Sequence, residues 1–194
     1  MTTAIEKTTN YSRTLQMVQI AMFSVLMMIG ANISSFLIIG GVPITLQTFF
    51  ALLAGILLGS RTGAIAMLFY AFIGLVGLPV FANFSGGIDT LLSPTFGFIL
   101  SYILTAYIVG EIARKFPTTK GFVIAALVGA AVNYVIGTNW MYAAYKLWFA
   151  APAGFTYKMA WAWMVVPMPK DIILAIFAGV FGYRLKPLIQ KYKK

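Results

Sequence analysis

The chain has 194 residues, of which 61% are apolar and only 9% charged, with a net charge of +10 from fourteen Lys and Arg against four Asp and Glu. An ordinary soluble domain carries about 45–50% apolar and about 25% charged residues, so too few charges are present here to cover a soluble globule, and intrinsic disorder is excluded by the high hydrophobicity. The absence of Cys and His removes thiol nucleophiles, disulfides, the usual zinc and iron ligands and the imidazole base of most hydrolytic triads.

What remains is an all-α integral membrane protein, a single domain over residues 1–194. A hydrocarbon layer of about 30 Å needs about 20 apolar residues as helix, and six stretches are predicted to cross it. The first runs from Thr14 to Ile39 and stops at Gly40-Gly41. The second begins at Pro43, a residue suited to a first helical turn, and ends at Gly59. The third covers 62–78 and ends against Pro79. The fourth opens on Ser93-Pro94, a capping hydroxyl before a first-turn proline, and covers 94–113. The fifth covers 121–142 and the sixth 169–185. A signal peptide is disfavoured at the N-terminus, because the apolar run exceeds the usual length of about 7–15 residues and lacks a small-residue cleavage site.

An even number of crossings puts both termini on one side. That side holds Lys7, Arg13, Arg61, Arg114, Lys115, Lys120, Arg184, Lys186, Lys191, Lys193 and Lys194; the other holds Lys146, Lys158 and Lys170. By the positive-inside rule both termini are cytoplasmic in a cell membrane. The basic surplus then sets orientation and requires no nucleic acid. The outer connection 143–168 is rich in aromatics, among them Tyr145, Trp148, Phe149, Phe155, Trp161 and Trp163. It reads either as an interfacial amphipathic segment or as a cover over an outward-facing site, and one segment can do both.

Polar groups inside a span are costly and raise the question of function. Here they crowd the outer half of the spans, as Asn32, Ser34, Ser35, Thr45, Gln47, Thr48, Asn133, Thr138, Asn139 and Asp171, whereas the inner half has little beyond Gln19, Ser24 and Thr105. This asymmetry predicts a small-molecule pocket in the outer leaflet. Each residue also has a plainer reading. Gln47 could pin two helices. Asn133, with Gly129 and Gly137 four residues to either side, could bond a neighbouring backbone. Asp171 could complement the dipole of the last helix, or accept N–H groups of a ligand. Asn83, Ser85, Gly86 and Gly87 read as a turn or as backbone N–H donors to a ligand; Asp89 reads as solvated. Small residues at four-residue spacing, such as Ala51, Gly55 and Gly59, mark close helix contacts. Ala21 and Val25 show the same spacing in the first span and suggest an external docking face.

No G-x-x-x-x-G-K-[ST] loop for ATP is present, no span carries a chain of buried carboxylates, and no nucleophile–base pair suggests catalysis. The expectation is a membrane receptor for a solute, with no catalytic residue, metal or cofactor, whose driving energy comes from elsewhere.

The run Val42-Pro43-Ile44-Thr45-Leu46-Gln47-Thr48 resembles the V-P-[IV]-T-L-Q-T signature of the BioY family, the biotin-binding S components of energy-coupling-factor (ECF) transporters. Gly77-Leu78-Pro79-Val80-Phe81-Ala82, Leu92-Ser93-Pro94-Thr95-Phe96-Gly97-Phe98 and the stretch from Tyr134 through Gly137 to Trp140 agree in order, and the likeness covers nearly the whole chain. Ser93 and Phe96 replace glycines of the fourth-span motif. Near the last span the family pattern P-G-D-x-x-K becomes Pro169-Lys170-Asp171 with Leu174, so the acid matches and the lysine does not. The resemblance implies an ECF S-component fold and capture of biotin from outside. It also implies docking on a transmembrane scaffold subunit with two cytoplasmic ATPases, through an A-x-x-x-A motif that Ala21 matches and Val25 does not. On that reading Asp171 accepts a ureido N–H and Asn83 or Gln47 completes the ring's hydrogen bonds. Trp140, Tyr142 and loop aromatics cover its apolar face, and Lys170 or another outer lysine meets the carboxylate. The alternatives are an S component for thiamine or riboflavin, and a structural membrane subunit whose polar residues only pin helices.

Overall fold

A computed structural model describes residues 2–33, 38–39 and 42–191. In chain order the elements are α1 (Thr2–Asn32), a two-stranded antiparallel ribbon of β1 (Ile38–Ile39) and β2 (Val42–Pro43), α2 (Gln47–Leu58), α3 (Ser60–Leu75), two short 3-10 turns (Ala82–Phe84 and Ile88–Leu92), α4 (Phe96–Lys115), α5 (Thr119–Leu147), α6 (Tyr157–Val165) and α7 (Met168–Lys191). Among the described residues, four helical stretches are long and apolar enough to cross a membrane: Arg13–Asn32, Phe96–Lys115, Thr119–Leu147 and Met168–Ile189. The helices α2 and α3 are shorter, at 12 and 16 residues.

Several expected boundaries move, each for a local reason. The first helix ends at Asn32 and does not reach Ile39; the β-branched Ile38 and Ile39 pair instead with Pro43 and Val42. Pro43 lies in this edge ribbon, where a missing N–H is tolerated, and α2 starts four residues later. The third helix stops at Leu75, because Gly77 takes φ +114° before Pro79 is reached. Ser93-Pro94 forms a turn ahead of α4, with Phe96 N–H donating to the Ser93 carbonyl at 3.1 Å, so Ser93 is not the capping residue. Within the connection expected to be a loop from 143 to 168, α5 runs on to Leu147 and α6 forms, its first turn capped by the Thr156 hydroxyl accepting from Met159 N–H at 3.2 Å. Ser34, Ser35, Gly40, Gly41, Lys193 and Lys194 lie outside the described residues, as do the side chains of Lys7 and Lys191.

The short α2 is the axis of the bundle. Ten of its twelve residues are buried, and α1, α3, α4 and α7 surround it. Without a hydrophobic drive between helices in lipid, close van der Waals packing must hold them, and the glycines allow it. A side chain at Gly55 would run into the Ala106 carbonyl on α4, one at Gly129 into Val109 and Leu52, and one at Gly182 into Ile56. The α2–α3 corner turns at Gly59, φ +88°, and is tied to α4 where the Ser60 hydroxyl donates to Glu111 Oε1 at 2.7 Å; Arg114 donates to Oε2 at 2.6 Å. At the opposite end of α2 the helices part, and a cavity opens there.

Candidate ligand-binding site

The cavity has a volume of about 420 Å³, within the range of about 300–1,000 Å³ of small-molecule sites. Its wall is contributed by the segment entering α2 (Val42–Thr48), the loop at Phe81–Ser85, the turn at Ser93–Phe96, and α4, α5, α6 and α7. Most of the wall is apolar or aromatic, including Phe81, Phe96, Phe98, Ile99, Tyr145 and Met164, with a limited set of polar groups between.

At the start of α7, Asp171 is 6% exposed. Its Oδ2 accepts the Tyr134 hydroxyl of α5 at 2.6 Å, and the Lys170 ammonium lies 2.9 Å from Oδ1. The same ammonium donates to the Thr45 carbonyl, and Oδ1 pairs with it by charge without a hydrogen bond of its own. Oδ1 therefore feels the cation's charge while keeping acceptor capacity. Lys170 in this way joins α7 to the segment before α2. Deeper in the wall, Asn133 donates through Nδ2 to the Phe98 carbonyl at 3.3 Å and to Ser101 Oγ, and Ser101 Oγ donates to the same carbonyl at 2.7 Å. These bonds use the donor side of the amide, and Asn133 itself lines the cavity. Gln47 donates through Nε2 to the Tyr70 hydroxyl at 2.8 Å, which donates to the Val80 carbonyl at 2.9 Å. Asn83 lines the cavity at its exposed rim, in a left-handed conformation (φ 58°), and its amide makes no hydrogen bond to the described residues.

Six of the residues expected at a ligand site, Gln47, Asn83, Asn133, Tyr134, Lys170 and Asp171, thus meet on one cavity. Four others are not brought to it. Trp140 stands behind the wall: its indole N–H donates to the Ser93 carbonyl at 3.2 Å and its ring packs on Phe96 and against Gly97. Tyr142 packs with Phe155 and Tyr157 on the outer side of the cover. Gly86 is a place of close backbone approach to the Leu78 carbonyl, and Gly87 (φ +100°) spends its N–H on the Gly74 carbonyl at 2.7 Å. Of the other outer polar residues, Asn139 is exposed and bonds the Val135 carbonyl of its own helix, and Thr138 is buried away from the wall. Sequence reasoning missed Tyr102, buried in α4 with Thr45 and Thr48 near its hydroxyl. A tyrosine amid an apolar span was the available signal. It also missed Met164, which α6 turns inward over the cavity while Val165 faces out. Ala21 and Val25 both lie on the exposed side of α1.

The profile of the BioY family matches residues 2–191. The chain belongs to the BioY family. It is 46% identical over 180 residues to the "Putative biotin transporter BioYB" of Bacillus subtilis (strain 168), covering 90% of this chain and 89% of that one. It is 32% identical over 174 residues to the "Biotin transporter BioY" of Thermotoga maritima, covering 89% and 96%. Among solved structures, the S-component for biotin from an ECF-type ABC transporter matches with a TM-score of 0.72 at 24% identity, over 100% of this chain and 99% of that one. That likeness fixes the fold of this BioY member as the S-component fold.

Proposed function

We propose that this chain is the substrate-binding membrane subunit that captures biotin from outside the cell for ATP-driven uptake, and that it is not itself an enzyme. The observation that carries the reading is the Lys170–Asp171–Tyr134 cluster on an otherwise apolar cavity, in a chain whose relatives bear the name of biotin transporters. Biotin offers two ureido N–H donors and one carbonyl, an apolar thiolane and tail, and a terminal carboxylate. Asp171 Oδ1 and the Asn133 carbonyl oxygen are acceptors for ureido N–H groups, and the Asn83 amide is a donor for the ring carbonyl. Lys170 is the cation for the carboxylate, in place of the missing lysine at Leu174. Tyr145, Phe149 and Met164 take the covering role expected of Trp140 and Tyr142. Gln47, its donor engaged by Tyr70, contributes an acceptor.

The chain crosses the cell membrane six times in this reading, through α1, α2 with the segment leading into it, α3, α4, α5 and α7, with α6 lying along the outer surface. An α2 of 12 residues spans about 18 Å at about 1.5 Å per residue, and the preceding residues make up the depth. Arg13, Arg61, Arg114, Lys115, Lys120, Arg184 and Lys186 then face the cytoplasm with both termini. The exposed side of α1 at Ala21 and Val25 is the docking face for a scaffold subunit that couples to two cytoplasmic ATPases.

The test is calorimetry on the purified chain with biotin, thiamine and riboflavin. Heat with biotin alone is expected. Heat with another vitamin selects a different substrate, and silence across the panel means that the polar residues only pin helices.

A further inference from the structure

Asn83 in the cavity wall and Phe84 next to it have φ of 58° and 54°, the left-handed region that residues with a side chain seldom enter. Asparagine reaches it with the least strain. A phenylalanine stays there only where its surroundings over-determine it, and the Phe84 ring, 60% exposed, is not buried enough to do so. Hydrogen bonds hold the segment instead: the Phe81 N–H donates to the Ser85 carbonyl at 3.0 Å and the Ser85 hydroxyl to the Ala82 carbonyl at 2.8 Å, closing the turn. Before it, the Tyr70 hydroxyl donates to the Val80 carbonyl at 2.9 Å. Within it, at the peptide that joins Asn83 to Phe84, the Phe84 N–H donates at 2.8 Å to Oδ1 of Asn32, the last residue of α1. Asn32 is 7% exposed, and its own amide donates to the Met28 carbonyl at 3.0 Å, so the acceptor is fixed to the helix that carries it. Between the two clamps the Asn83 amide is left to the cavity.

We infer that Asn32 is a positioning residue: by holding Phe84 in its left-handed conformation it aims the Asn83 amide into the cavity, so the outer end of α1 sets the affinity of a site it does not line. The inference rests on the reading of the cavity as a biotin site. It gives α1, which also carries the exposed residues Ala21 and Val25, a hydrogen-bonded link to the cavity wall.

The experiment compares the full-length chain in lipid nanodiscs with Asn32→Ala, Asn83→Ala and the double variant, by biotin calorimetry and by amide hydrogen exchange. Asn32→Ala is expected to speed exchange across residues 81–86 while leaving α4 and α5 unchanged, and to weaken biotin binding about tenfold, the effect of one lost hydrogen bond. In the Asn83→Ala background the same substitution is expected to cost no further affinity, since the group it aims is gone. Unchanged exchange at 81–86 overturns the inference, and so does an equal further loss in the Asn83→Ala background, which is what general destabilisation of the fold gives. If the unsubstituted chain gives no heat with biotin, the functional reading fails, and the exchange pattern alone decides whether Asn32 holds the wall.

Discussion

The Tyr134 hydroxyl donates to Asp171 Oδ2 across 2.6 Å, joining the middle of α5 to the first turn of α7. One carboxylate oxygen is thereby occupied by Tyr134, and the other lies 2.9 Å from the Lys170 ammonium. Tyr134→Phe removes the donor, frees Asp171 to rotate and leaves a buried oxygen short of a partner, a loss of about 1–3 kcal/mol. We expect biotin affinity to fall by roughly tenfold to a hundredfold, measured by calorimetry. An unchanged affinity would show that the carboxylate is held without Tyr134.

Asp171→Asn keeps the shape and removes the charge. If Asp171 accepts a ureido N–H by a charge-assisted bond, binding weakens by about 1–3 kcal/mol, with a lower melting temperature as well because Lys170 loses its counter-charge. A variant that binds as tightly as the parent would reduce Asp171 to a complement of the α7 dipole.

Lys170→Met separates the two jobs assigned to that lysine. Its side chain is 32% exposed but that of Asp171 only 8%, so losing the cation leaves a buried carboxylate uncompensated, a stability loss of about 3–5 kcal/mol. The sharper readout is discrimination: the parent should prefer biotin to biotin methyl ester, and Lys170→Met should bind the two alike. Retention of the full preference would place the carboxylate at another cation.

On the exposed side of α1, Ala21→Trp should leave biotin binding by the isolated chain intact and abolish ATP-dependent uptake in cells that supply the scaffold and ATPases. Parallel loss of binding and uptake would mean that this side of α1 supports the cavity.

Packing at the glycines is testable without a ligand. A Gly129→Val side chain meets Val109 and Leu52, and overpacking of this kind costs about 1–3 kcal/mol. A lower unfolding temperature is expected, and no shift would mean that α5 can move away from α2 freely.

The helical class and the polar cluster were legible in the sequence for a simple reason: Asn133, Asp171 and Gln47 are costly in hydrocarbon unless they have work to do, so hydropathy alone singled them out. The ends of α1 and α2 were not legible, because Ile38, Ile39 and Val42 continue the apolar run and nothing in hydrophobicity separates a short ribbon from another helical turn. Buried helices such as α2 are apolar on every side, so the 3.6-residue period that tells an inner face from an outer one is absent. The same limit hid Tyr102 and Met164. Trp140 was misplaced because an aromatic in a family-like motif was read as a ligand wall, whereas its N–H is spent on the Ser93 backbone and its ring supports the wall from behind.

Beneath Gln47 and Asn133 the interior is filled: Leu52, Ile56 and Val109 have no exposed surface, and Gly55 and Gly129 draw their helices together around them. The molecule is thus a cup with a floor, not a conduit. A solute in it leaves by the same doorway that admitted it for as long as the body stands still. On the proposed reading, vectorial movement is therefore imported, as mechanical work done on the fold by something outside it.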